Sequence, residues 1–160
     1  MKRIFLLCCF AICANLVFAQ GKFAGTMKGL IGKKFNDQPP IAELKSYKPQ
    51  EGSIISPLGD DVKFYLHCYK KGNTRLAVFS RQEDKSPDII IDIVFLTAGS
   101  DMEFKTCTNG NEGSVNVLAL VQHLKSGANK VLKAWRANMD KIRFEAMPVK
   151  LVKCEGEERY

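Results

Sequence analysis

Residues 63–80, KFYLHCYKKGNTRLAVFS, decide the fold class. Apolar and polar side chains alternate from Lys63 to Tyr69 and again from Arg75 to Ser80, and Gly72-Asn73 between them is the dipeptide of a two-residue hairpin turn. With the turn there, Tyr69 pairs with Leu76, His67 with Val78 and Tyr65 with Ser80 on one face. Leu66 meets Phe79 and Cys68 meets Ala77 on the other. The pairing is self-consistent and predicts an antiparallel sheet.

Outward from this hairpin, residues 88–96 (DIIIDIVFL) are rich in β-branched residues and apolar on both parities, as in a strand covered on both sides. Ala98 to Asp101 reads as a turn, Met102 to Thr108 as an alternating strand, and residues 109–113 as an exposed loop. Residues 115–124 and 130–138 fit either period, and their β-rich flanks favour strands in a meander. A turn at Met139-Asp140 would set Trp135 opposite Phe144, and residues 149–154 would form the last strand.

Upstream, residues 22–35 (KFAGTMKGLIGKKF) space Phe23, Met27, Leu30, Ile31 and Phe35 as on a helix, weakened by three internal glycines. Pro39-Pro40 breaks it, and Pro49, Gly52, Pro57 and Gly59 mark a loop-rich approach to the first hairpin. The expected fold is α+β with β dominant: an N-terminal helical segment followed by an antiparallel β-meander of six or seven strands, as a curled sheet, small sandwich or half-barrel.

Residues 1–19 read as an export signal. Lys2 and Arg3 precede an unbroken apolar run from Ile4 to Ile12, and Val17-Phe18-Ala19 offers a cleavage site before Gln20. The run is interrupted at Asn15, short of the roughly 20 apolar residues of a membrane span. The expected mature protein, residues 20–160, is a single exported domain, periplasmic or extracellular, with no transmembrane segment. It carries 22 Lys plus Arg against 17 Asp plus Glu, a net +5 over 141 residues. That modest excess, spread as Lys without aromatic clustering, excludes a nucleic-acid binder as the leading class.

Three cysteines leave with the signal. Cys68 falls on the apolar face with Phe64 and Leu66, so it reads as a small buried hydrophobe. Cys107 and Cys154 remain as the preferred disulfide pair in an oxidising compartment. No Gly-x-Ser-x-Gly elbow, phosphate loop or metal-ligand spacing occurs, so no catalytic residue, metal or cofactor is assigned.

The candidate ligand- or partner-binding residues are Tyr65, His67 and Tyr69, a stripe on one hairpin face, and Trp135 with Arg136. Amphipathic aromatics and Arg are the commonest binding anchors. Asp92, inside an Ile-rich run with Asp88, Ile90 and Val94 on its face, is a candidate perturbed acid. The leading expectation is a soluble exported binding protein, not an enzyme, engaging a protein or envelope ligand through a sheet face. The alternatives are a carrier of an apolar ligand in a cavity lined by Phe95, Trp135 and Phe144, and a small hydrolase using His67 or His123 with Asp92.

Overall fold

A computed structural model of the chain describes residues 27–35, 41–55, 61–84, 86–110 and 116–154. The chain divides into two compact units, Met1–Leu30 and Ile31–Tyr160. The export signal and residues 22–26 of the expected helix lie outside the described residues.

The α+β expectation is overturned. Strand accounts for 63% of the described residues and helical turns for 7%, with no helix of seven or more residues. In the expected helical stretch Met27 and Lys28 are helical, but residues 29–32 form turns, and Lys34–Phe35 is a strand, β1. Gly32 is responsible in part: at φ +86° it takes a left-handed conformation that ends helical geometry.

The remaining strands are β2 (Lys48–Ile54), β3 (Val62–Lys71), β4 (Thr74–Glu83), β5 (Asp88–Thr97), β6 (Met102–Asn109), β7 (Val117–His123), β8 (Asn129–Asn138), β9 (Arg143–Met147) and β10 (Val152–Lys153). They form two five-stranded antiparallel sheets. The first has the order β1-β5-β4-β3-β2 and the second β10-β6-β7-β8-β9. Chain neighbours β2–β5 and β6–β9 pair in order, so the single meander of six or seven strands expected is replaced by two four-strand runs in separate sheets, each closed by a two-residue strand, β1 or β10, from elsewhere in the chain.

The β3–β4 hairpin has the register the sequence predicts, with Tyr65, His67 and Tyr69 opposite Ser80, Val78 and Leu76. Gly72 supplies the turn at φ +52°. Val117–His123 and Asn129–Asn138 are strands, as their flanks imply.

Three expectations need correction. β5 is flanked by only the two-residue β1 on its outer side, and it carries a bulge: Phe79 faces Asp92 while Ser80 faces Ile90, leaving Ile91 as the extra residue. The bulge flips parity, so Asp92 and Val94 share a face and Asp88 and Ile90 take the other. The β8–β9 connection has four residues, 139–142, with Ile142 at φ +54°, which puts Phe144 opposite Ala137 and Ala146 opposite Trp135. Residues 149–154 begin as a 3-10 turn, Val149–Leu151, and only Val152–Lys153 pairs as a strand.

The inner faces of the two sheets pack on each other. Phe64, Leu66, Cys68, Ala77 and Phe79 of the first sheet share clusters with Phe104, Leu118, Leu120, Trp135, Ala137 and Phe144 of the second. Each fully buried large apolar side chain contributes roughly 1.5–3 kcal/mol. At one margin Ser53 Oγ donates to Thr106 Oγ1 at 2.9 Å, linking β2 to β6. At the other, the Phe144 N–H donates to Asp92 Oδ2 at 2.6 Å, linking β9 to β5.

Arg75 is fully buried and donates to four carbonyl oxygens, those of Met102, Gly99, Gly72 and Thr74, at 2.6–3.1 Å. It ties the β3–β4 and β5–β6 turns together. Burial pulls its pKa down and the nearby Glu103 carboxylate opposes that shift.

The outer face of the second sheet is sealed by the C-terminal segment. Cys107 and Cys154 form a disulfide, as the sequence favours, and Val152 and Cys154 pack with Val117, Ala119, Val121 and Ala134. Cys68 is buried and outside any disulfide.

Candidate functional site

β3 presents Tyr65, His67 and Tyr69 on the outer face of the first sheet, because alternation sends Phe64, Leu66 and Cys68 into the inter-sheet core. The stripe grades from buried to accessible. Tyr69 is 1% exposed, while Tyr65 and His67 are half-buried. The Tyr65 and His67 rings stack at 5.8 Å with planes 19° apart, and Phe35 of β1 meets His67 edge-on at 5.9 Å.

β2 builds the other wall. Pro49 pairs with Tyr69 and Gly52 with His67, so Gln50 and Glu51 together oppose Cys68 in a bulge. Gly52 permits the close approach that follows: a β-carbon there would stand 3.2 Å from the Leu66 carbonyl oxygen. Between the strands lies a cleft of about 320 Å³ lined by Pro49, Gln50, Gly52, Ser53, Ile54, Tyr65, His67 and Cys68. Ile54, opposite Tyr65, is 62% exposed at its rim.

Burial sets the electrostatics of this face. It lowers the His67 pKa to about 4, so the imidazole is neutral at pH 7, and raises the Tyr69 phenol to about 12. Asp88 Oδ2 lies 4.0 Å from His67 Nε2, and burial raises the Asp88 pKa. The Tyr65 hydroxyl is raised by burial and then by Asp88, and it donates to Gln82 Oε1 at 3.1 Å. Among the described residues, Tyr69 Oη, Ser80 Oγ, Asp88 Oδ1 and Gln50 Oε1 are buried without a hydrogen-bond partner. Such a concentration of unsatisfied polar atoms is unusual in a sheet face of this size.

The other candidates fall elsewhere. Trp135 packs edge-on against Phe104 at 5.9 Å in the inter-sheet core, and Arg136, next along β8, has the opposite parity and pairs with Val117 and Glu145. Trp135 and Phe144 pack in the same inter-sheet cluster, whereas Phe95 pairs with Leu76, on the outer-face parity of β4. Asp92 is brought to neither histidine. Its Oδ1 accepts the Ile93 N–H at 2.8 Å and its Oδ2 the Phe144 N–H, so the carboxylate is a tie between the sheets. His123 bonds Glu103 Oε1 through Nε2 and Asn129 Oδ1 through Nδ1, both at 2.8 Å.

No group of three or more His, Cys, Asp or Glu among the described residues is arranged to hold a metal ion. None of the helices among them is long and apolar enough to cross a membrane. The β2 wall was missed in the sequence because Pro49 and Gly52 read as loop. The recoverable signal was their position: Pro belongs on an edge strand and Gly at a bulge. Comparison with protein-family models, curated proteins and solved structures finds no match.

Proposed function

We propose that this chain is an exported binding protein, without catalysis, that engages a protein or envelope ligand through the β2–β3 face of its first sheet. The observation that carries the reading is a preformed cleft on a rigid strand pair, walled by Tyr65 and His67 and rimmed by the exposed Ile54. An isoleucine 62% exposed beside an amphipathic aromatic is the composition of a recognition anchor, apolar in body with polar groups fixing orientation.

Export is supported by the charged start, apolar run and small-residue site in residues 2–19, and the Cys107–Cys154 disulfide is compatible with an oxidising compartment. No reaction is assigned. The Asp92 carboxylate already accepts two main-chain N–H groups, and the two histidines stand in separate environments.

The test is site-specific photocrosslinking in the producing cell. A benzophenone side chain at position 54 is expected to capture a discrete partner, lost on Tyr65→Ala, while the same probe at the exposed position 141 captures none. Equal labelling from both positions would refute the assignment of this face.

A further inference from the structure

The open side of β2 is main chain. The Ile55 N–H donates to the Phe64 carbonyl oxygen at 2.9 Å, so these two residues form a hydrogen-bonded pair of the antiparallel ladder. Bonded and non-bonded pairs alternate along such a ladder. Ser53 with Leu66 is therefore the next bonded pair, and the N–H and C=O groups of Gly52 and Ile54 turn away from β3. β2 is the last strand of its sheet, and no strand among the described residues pairs with that side. Gly52 is exposed, which for a residue without a side chain means exposed main chain, and Ile54 beside it is 62% exposed.

Other edges of the two sheets are protected. β1 and β10 are two residues long, and at the β9 edge the Asp92 carboxylate takes the Phe144 N–H. Short strands and charged caps keep sheet edges from pairing. Pro49 and the bulge protect the start of β2, but among the described residues nothing caps Gly52 or Ile54. The side chains of the cleft do not supply the polar recognition either. Gln50 Oε1 and His67 Nε2 are buried, Gln50 Nε2 points at Glu103, Ser53 Oγ at Thr106 and the Tyr65 hydroxyl at Gln82. What faces a ligand is two donors and two acceptors of the main chain at strand spacing, beside a cleft whose volume of about 320 Å³ suits one side chain. Its walls are Pro49, Ile54 and the Tyr65 and His67 rings, uncharged at pH 7 because burial keeps the imidazole neutral.

We infer that residues 52–54 of β2 accept an extended segment of the partner protein as an added antiparallel strand, whose residue opposite Gly52 places an apolar or aromatic side chain in the cleft. This rests on the β2–β3 face being the binding face and adds the form of the partner. Gly52 and Ile54 each exchange main-chain hydrogen bonds with the added strand, which gives affinity, and the cleft gives side-chain selectivity. The missing side chain at Gly52 leaves the way into the cleft open. β2 of a second copy is a poorer fit, since it brings the same Pro49 and bulge to the pairing.

The test is amide-resolved NMR on purified protein expressed from the full chain, alone and with a blocked Ser-Thr-Val-Phe-Val-Thr-Ser peptide. Alone, the Gly52 and Ile54 amides are expected to exchange with solvent about tenfold or more faster than those of Ser53 and Ile55. With the peptide they gain protection, and Ser53 changes least. Methylating the main-chain nitrogen of the peptide's phenylalanine is expected to weaken binding about tenfold or more, and methylating that of the next valine, which points away from β2, by less than about twofold. Alanine in place of the phenylalanine is expected to weaken binding about fivefold. Equal effects of the two methyl groups, or no binding of the unmethylated peptide, would overturn the inference, and neither comparison needs a variant to fold.

If position 54 crosslinks a partner but the two methyl positions are equivalent, the binding face stands and strand addition fails. If the methyl pattern appears without a crosslinked partner, the strand acceptor stands and the partner in the producing cell is wrong. Sedimentation velocity covers the remaining occupant: a dimer dissociated by the peptide would make it a second copy and overturn the partner segment.

Discussion

Replacing Asp92 by alanine tests whether this carboxylate is a structural tie. Its two oxygens accept the Ile93 N–H at 2.8 Å and the Phe144 N–H at 2.6 Å, the second bridging the two sheets at the β5–β9 margin. Hydrogen bonds to a charged acceptor contribute roughly 1.5–3 kcal/mol each, and partial solvent access at this half-buried position brings the pair to about 2–4 kcal/mol. Asp92→Asn keeps one acceptor but turns an N–H₂ toward the other donor, so about 1–2 kcal/mol is expected. Urea unfolding at pH 7 reads both values, and amide exchange reads the geometry: Phe144 should lose protection in Asp92→Ala while Leu118, in the core, changes only with global stability. A loss under about 1 kcal/mol with Phe144 protection intact would refute the tie.

Three further outcomes follow. Breaking the Cys107–Cys154 bridge by a double change to serine should cost up to roughly 4 kcal/mol for a loop of this length, and non-reducing peptide mapping should recover the 107–154 pair with Cys68 unreactive until unfolding. His67 has its folded pKa lowered to about 4 from 6.5, so the unfolded chain binds more protons between those values; stability falls as pH drops below 6.5, by about 3 kcal/mol near pH 4. Asp88, raised by burial, favours the fold on acidification and offsets part of this, so urea midpoints of His67→Gln and of wild type at pH 7 and 4.5 should isolate the histidine. Arg75→Met should cost about 3 kcal/mol or more in thermal unfolding by removing four charge-assisted hydrogen bonds to main-chain carbonyls, of which Gly99 O keeps the Met102 N–H, and Arg75→Lys should recover little, since an ammonium cannot span the same fork.

The elements legible in the sequence are those whose side-chain period is uninterrupted. The β3–β4 register follows from alternation about Gly72-Asn73, and the buried Cys68 follows from the same parity. Errors begin where one residue is inserted. The β5 bulge sends Asp92 inward while Asp88 and Ile90 face out, so a single strict period across residues 88–96 assigned Asp92 the wrong neighbours. The four-residue β8–β9 connection, two residues longer than a turn at Met139-Asp140, shifted the register by two, which moved Phe144 from Trp135 to Ala137 but kept both rings on the inner face. The N-terminal helix failed for a different reason: spacing at Phe23, Met27, Leu30 and Ile31 is compatible with a helix, but Gly32 takes a left-handed turn and β1 gains sheet hydrogen bonds beside β5.

The cleft was hidden by the features that make it. A regular β2 would place one residue opposite Cys68 and pair flush with β3, leaving no space between the strands. The bulge opposes Gln50 and Glu51 to that one residue, and Gly52 lets the main chain return against the Leu66 carbonyl. Pro49 gives up one main-chain donor, which an edge strand tolerates. Pro49 and Gly52 are breakers in a sequence scan, so the segment reads as loop, yet in an edge strand held at Thr106 they fix a rigid concavity. The cleft residues on β3 were therefore visible from their alternation, while their partners on β2 required knowing that this irregular stretch lies at a sheet edge.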